Sequence, residues 1–290
     1  MSIAGTYGAH EFRIYYVVEQ SYGQTPTNPT MLGINSEDAE PAIDPGLFIV
    51  RALGSRDPQS LRKGLFKPSL KLTHIPSATA PTALIQHAAT LNSLSVQALW
   101  FKGLWTDPTN IISLLYTGMR IDKLTVETGL EELVRASVEL TGQNVVVGNS
   151  KLAGATYADY AEALCFADTY VQRGAGDGSN LQEITRVTDW KFSIANNLKP
   201  VHVLRSTNMH LLKYLQPRHR ELSGEVGFTF EEPTEINDVI NDNEFSLKFN
   251  MGTGYALFKY CKWEEVSAPV KVEDLVSLKA KFVARDVVIA

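Results

Sequence analysis

The 290-residue sequence is poor in the features that most often announce a function. Its only two cysteines, Cys165 and Cys261, are too few for a disulfide framework and lack the spacing of a zinc site. They read as two reduced, packed thiols in a protein made in the cytoplasm. Basic residues are not in excess: 27 Lys and Arg stand against 32 Asp and Glu, a formal net charge of −5. That balance argues against a dedicated nucleic-acid binder, which carries a basic stripe. No apolar run approaches the ~20 residues that span a bilayer. The start, MSIAGTYGAHEFR, has neither the basic region nor the apolar block of a signal peptide. No membrane partner is therefore expected.

Catalytic and metal motifs are missing as well. The six histidines form no i, i+4 pair beside a carboxylate. There is no GxSxG elbow, and Cys165 has no visible histidine partner. Arg173–Ser179 (RGAGDGS) has the glycines of a phosphate loop without its Lys-Ser/Thr, and reads as a hairpin tip. Asn241-Asp242-Asn243-Glu244 lacks the glycine and alternating ligands of a calcium loop. The expectation is a non-enzyme without metal, cofactor or catalytic residues.

What the chain does carry is a repeat. Leu133–Val147 (LVRASVELTGQNVVV) aligns without a gap with Leu275–Ile289 (LVSLKAKFVARDVVI), 142 residues further on. Apolar residues hold one parity in both copies: Val134, Ala136, Val138 and Leu140, then Val276, Leu278, Ala280 and Phe282. A period of two is the mark of a half-buried strand. The preceding elements follow a similar order. GLFKPSLKLT (64–73), a helix opened by Pro81, SLSVQALWF, IISLLY and LTV are echoed by LSGEVGFTF, a helix opened by Pro233, FSLKFN, YALFKY and VSA. The expected fold is mainly β with short helices. Two duplicated β-sandwich or half-barrel domains, each with a flanking helix, occupy residues 1–148 and 183–290. Residues 149–182, including the Ala/Tyr-rich helix-like run YADYAEALCFADTY, join them. Thr27–Gly46, rich in Pro, Asn, Asp and Gly, reads as a long surface loop or arm.

The polar parity of the strands supplies the candidate site. Lys67 and Lys71 in the first half correspond in element to Glu225 and Glu231 in the second. Arg135 and Glu139 correspond to Lys279 and Lys281, with Ser137 and Ser277 on the same polar parity. One reading is a pair of solvated faces on antiparallel sheets. The other is a meeting of copies edge to edge around a ring, with unlike charges fixing their order.

Glu19–Pro26 (EQSYGQTP), following the first strand, resembles the E-x-x-YG-x-x-P start of tail tube proteins of long-tailed viruses. The strand 64–73, the helix after it and the final strand pair are also similar in order to the tube fold. The resemblance implies a structural virion protein of the tail that assembles with itself, six tube domains to a ring. Two domains per chain would make that ring a trimer with pseudo-sixfold symmetry; single-domain chains would make it a hexamer. It also implies stacking of rings through an arm, for which Thr27–Gly46 or Gly54–Arg62 is the candidate. Implied partners are the tape measure, terminator and baseplate or tip proteins, with viral DNA passing through the lumen unread. A polar lumen without a cationic stripe is expected, since a basic one would hold the phosphate backbone. The reading from another class is a two-domain β-sandwich that binds carbohydrate or a receptor. It calls for an aromatic patch that Trp100, Trp105, Trp190 and Trp263 would have to supply.

Overall fold

A computed structural model describes residues 5–158, 162–270 and 276–290. The first part of the chain contains β1 (Phe12–Val18), β2 (Thr30–Gly33), β3 (Ser36–Asp44), β4 (Phe48–Val50), β5 (Ser60–Arg62) and β6 (Lys67–His74). Helix α1 (Gln86–Thr90), β7 (Leu94–Leu104), β8 (Asp107–Gly129), β9 (Arg135–Thr141), β10 (Asn144–Gly148) and β11 (Thr156–Ala158) follow. The second part contains β12 (Thr169–Ala175), β13 (Gln182–Glu183), β14 (Val187–Ala195), β15 (Lys199–Val201), β16 (Tyr214–Gln216) and β17 (Glu221–Thr229). It closes with α2 (Thr234–Ile240), β18 (Phe245–Met251), β19 (Gly254–Ser267), β20 (Ser277–Val283) and β21 (Asp286–Ile289).

One layer runs through both parts. β3, β6, β9 and the C-terminal half of β8 lie side by side, all antiparallel. β14, β17, β20 and the C-terminal half of β19 repeat that order. β8 joins β14 antiparallel, with Lys123–Gly129 against Asp189–Ala195, so the two sets make one continuous sheet. Behind the first set lie β2, β1, β7, the start of β8 and β10; behind the second lie β13, β12, β18, the start of β19 and β21.

The core fills the space between the layers. Leu72, Val138, Leu124 and Val126 share it with Tyr16, Val96 and Tyr116; Phe192, Phe228 and Phe282 share it with Phe249 and Phe258. The phenylalanines interlock, with Phe192–Phe258 centroids 5.1 Å apart and Phe249–Phe282 6.0 Å. Burying each such side chain contributes about 1.5–3 kcal/mol, which is why the apolar parity decides which face turns inward.

The two parts agree in most of their irregularities as well as their strands, the slip at Trp100/Lys102 having no match in the β18·β19 ladder. Ladders slip at Ser36/Asp38 and Val187/Asp189, at Leu94/Val96 and Phe245/Leu247, and at Ile121/Lys123 and Trp263/Glu265. Carrying the registers across puts each pair of slips at one position. β8 and β19 bend between layers at Gly118 (φ 65°) and Tyr260 (φ 52°), again equivalent. A bulge adds a residue to one strand and bends it without breaking the chain. One strand can therefore serve both layers. A 3₁₀ turn precedes β1 (Ala9–Glu11) and β12 (Phe166–Asp168). In each, a carboxylate accepts the capping N–H: Gly8 N donates to Glu11 Oε2 at 2.7 Å, Cys165 N to Asp168 Oδ2 at 3.1 Å.

Several sequence expectations change. Ile111–Tyr116 and Leu124–Val126 belong to one strand, β8, because the left-handed glycine bends the strand instead of ending it. Thr27–Gly46 is not a free arm: β2 pairs with β1 and β11, and β3 pairs with β6. Helix α1 starts at Gln86 rather than Pro81, after a series of turns. The run from Tyr157 to Tyr170 is strand, turn and strand where described; residues 159–161 lie outside the described residues, as does Leu275 at the head of the second copy. Segment 149–182 is more than a connection, since β12 pairs along its whole length with β18. Long-range pairing of β-branched and aromatic residues outweighs the local preference of alanine.

His74 ties β6 to the loop before β3, its Nδ1 3.0 Å from Asn35 O. Burial lowers its pKa from 6.5 to about 4. The folded state thus refuses a proton that the unfolded chain accepts. The associated stability is full above pH 6.5 and drains away as pH falls towards 4, about 3 kcal/mol in all. Denaturant midpoints measured across that window should fall for the native chain and fall less for His74→Gln. Parallel curves would refute the assignment.

Candidate functional site

The continuous sheet turns its polar face outward, and its registers order the charges. In the first set one row reads Glu40, Lys71, Glu139, Lys123 across β3, β6, β9 and β8. In the second set the equivalent row reads Lys191, Glu225, Lys281, Glu265 across β14, β17, β20 and β19. Every sign is inverted between equivalent positions. The second row continues through the junction to Glu127 and Arg135, opposite Lys191 and Glu127 in turn. Cross-strand pairs of opposite charge lie in contact: Lys191–Glu127 at 2.8 Å, Lys281–Glu265 at 2.6 Å and Arg135–Glu37 at 2.8 Å. Lys279 Nζ stands 3.6 Å from Glu225. The hydrogen bond from Arg135 holds the Glu37 carboxyl below its ordinary range, and that from Lys281 to Glu265 raises the lysine. Between the charged rows runs a line of hydroxyls, Thr73, Ser137, Thr125, Ser193 and Ser223.

Of the residues singled out from sequence, Lys67, Lys71, Arg135, Ser137, Glu139, Glu225, Ser277, Lys279 and Lys281 all lie on strands of this sheet. Glu231 does not; it follows the end of β17. Lys71 is matched by Glu225 and Glu139 by Lys281, but Arg135 is matched by Ser277. Glu40, Lys123, Glu127, Lys191 and Glu265 were missed. Both outer strands of the layer are paired on one side only among the described residues: β3 with β6, and the end of β19 with β20. An unpaired edge presents a row of N–H and C=O groups to any further strand.

The EQSYGQTP stretch anchors the bend of β8. Glu19 is buried, and its carboxylate accepts from Gly23 N at 2.7 Å, Ser95 Oγ at 2.8 Å and Gly118 N at 2.8 Å. Tyr22 then lies against the bend, with the Arg120 guanidinium 5.2 Å from its ring. Burial of the Tyr22 phenol raises its pKa. Trp190 and Trp263 sit in the core, while Trp100 packs on Phe12 and Trp105 stacks on Tyr15. Among the described residues no three of His, Cys, Asp and Glu gather into a metal-holding group, and no helix is long and apolar enough to cross a membrane.

Comparison with known proteins bears on this architecture. Two solved structures are similar to parts of the chain. A chain in the virion of a native gene transfer agent (GTA) particle is 8% identical with a TM-score of 0.36, the match covering 44% of this chain and 99% of that one. A chain from the tail of an empty GTA particle, refined helically with C6 symmetry, is 9% identical with a TM-score of 0.36, covering 44% and 98%. No curated protein matches. The family model described as phage tail tube protein matches residues 11–284, almost the whole chain. The chain belongs to the phage tail tube protein family.

Proposed function

We propose that this structural subunit of the virion tail builds its ring from three copies, each supplying two tube repeats. The observation that carries the reading is the β8·β14 junction. It joins two equivalent four-strand sets edge to edge inside one chain, and among the described residues the equivalent edges, β3 and the end of β19, are unpaired on their outer sides. Pairing β19 of one copy with β3 of the next repeats the same junction between chains. Applying the internal register sets Val266 opposite Ile43, as Leu124 stands opposite Ile194 within the chain. Ile43 is 41% exposed in the single chain, a large apolar side chain waiting to be covered.

Closure on three copies turns an aggregation-prone edge into a specific contact. The polar face of the sheet becomes the wall of the channel. Its alternating ladder offers viral DNA neither a cationic stripe to bind nor a uniform anionic wall to repel it. Stacked rings then form the conduit, with the other tail proteins capping its ends. Electron microscopy of the purified protein, with mass measurement of isolated rings, tests the stoichiometry. Rings holding three chains and showing pseudo-sixfold density support the reading. Six chains per ring, or a stable monomer under all conditions, would overturn it.

A further inference from the structure

The two parts of the chain treat one pair of matching hairpins in opposite ways. Between β3 and β6 lies β4–β5; between β14 and β17 lies β15–β16. Carrying the strand registers across, Phe48, Ile49 and Val50 take the places of Lys199, Pro200 and Val201. The hairpin pairings agree, with Ile49 opposite Leu61 and Pro200 opposite Leu215. So do the closing bonds, Gln59 N to Val50 O at 2.8 Å and Lys213 N to Val201 O at 2.7 Å. Leu47 and Leu61 therefore match Leu198 and Leu215, leucine for leucine. Yet Leu198 and Leu215 are 8% and 1% exposed, whereas Leu47 and Leu61 are 59% and 63% exposed.

The neighbour explains the contrast. β15–β16 lies on the first part of its own chain, where Leu198, Leu212 and Leu215 pack with Tyr22 and Leu91. Arg120 donates to Leu215 O at 3.0 Å, Gln143 to Leu212 O at 3.0 Å, and Asp122 accepts from Leu198 N at 2.7 Å. This seat is in reach because β14 is paired with β8. Among the described residues β3 has no such neighbour.

We infer that β4–β5 is a clasp that seats on the second part of the adjacent copy in the same ring, as β15–β16 seats on the first part of its own chain. The inference rests on the ring reading above. The seat has matching polar positions, while an aspartate, Asp242, takes the place of the packing leucine Leu91. Lys262 and Arg285 stand at the positions of Arg120 and Gln143; in the single chain they donate to Asp242 and Glu244, and on seating they would turn to the carbonyls of Leu61 and Pro58. Glu264 stands at Asp122, as acceptor for the N–H of Leu47. Asp242 stands at Leu91, and both have left-handed backbones, φ 54° and 56°. An aromatic ring is present too. Tyr22 lies over Gly118 in one seat, and Tyr260 replaces that glycine in the other, with Arg285 4.5 Å from its ring. Three bonds have no counterpart: Pro45, at the place of Asn196, has neither the N–H that Asn196 gives to Asp122 O nor the side-chain amide it gives to Ala88 O and Ile121 O.

Disulfide trapping during assembly, in a Cys165→Ser background, separates the clasp from the ring. Ala42→Cys with Ser267→Cys reports the sheet edge, at the place equivalent to the Thr125–Ser193 hydroxyl pair, 3.2 Å apart within the chain. Leu61→Cys with Asp242→Cys reports the clasp. Both pairs should link chain to chain and stop at three. An edge link without a clasp link would overturn the clasp and leave the ring standing; no link in either would overturn the ring reading itself. As a second measure, Leu47→Asp with Leu61→Asp should leave the monomer's thermal unfolding unchanged, because both side chains are exposed there. Ring yield at a given concentration should fall by at least about tenfold. Rings that form normally, or form but fail to stack, would assign the hairpin to another contact and overturn the inference.

Discussion

Arg186→Met is expected to reduce the unfolding free energy by about 3–5 kcal/mol, the range for breaking a buried ion pair. The Arg186 and Glu235 side chains are only 7% and 1% exposed, and their charged groups are in direct contact. The guanidinium also reaches Glu232 at 3.2 Å and lies 4.8 Å from the ring of Phe228. Removing it strands the Glu235 carboxylate, whose second oxygen already has no partner. Arg186→Met with Glu235→Leu should recover most of the loss. The chain itself supplies the precedent: Leu84, buried, occupies the place of Glu235 in the first part, and Asn35 that of Arg186. Urea titration of the monomer measures both variants. A single-variant loss below about 1 kcal/mol, the size of a surface pair, would show that the charges are not the desolvated pair described.

Glu19→Ala should cost a comparable amount, about 3–5 kcal/mol, because it leaves three donors without their acceptor. Two of those donors are backbone N–H groups, Gly23 in the turn and Gly118 at the bend of β8. The loss should be local before it is global. Amide exchange at Gly23 and Gly118 should accelerate, and the Leu215 seat on Tyr22 should loosen with them. Glu19→Gln keeps a carbonyl acceptor and should lose roughly half as much. Unchanged exchange at Gly118 in Glu19→Ala would contradict the role given to the carboxylate.

How far this was legible in the sequence depended on whether a residue's partner lay on the same strand. Val134–Leu140 and Leu278–Phe282 declare their buried face by alternation alone. Lys71, Glu139, Glu225 and Lys281 follow as the opposite face. Glu40 was hidden because SEDAEPAID, acidic and with a proline, looks like a loop; it becomes a strand only through pairing with β6. Lys123 and Glu265 each follow a slip that resets the parity of the strand, and no local pattern marks a slip. Gly118 is a partial signal of the bend, but its equivalent is Tyr260, which is not. In the hairpin β4–β5, Phe48–Val50 reads as a strand but Gly54–Arg62 as a polar loop, since the meaning of Leu47 and Leu61 depends on where Leu198 and Leu215 go. The E-x-x-YG pattern pointed to the family without revealing that Glu19 holds a bulge in place.

Fusing two repeats through β8·β14 has a kinetic consequence. A closed ring made of three such chains requires fewer encounters from solution than one made of six separate repeats. Each encounter forfeits translational and rotational freedom, so a smaller nucleus forms at lower concentration. The tether holds the two internal partners at an effective concentration on the order of millimolar whatever the amount of protein in the cell. Ring formation should therefore depend less steeply on expression level. In the proposed ring the same linkage would let the two faces drift apart in sign, because each repeat would meet only the other kind.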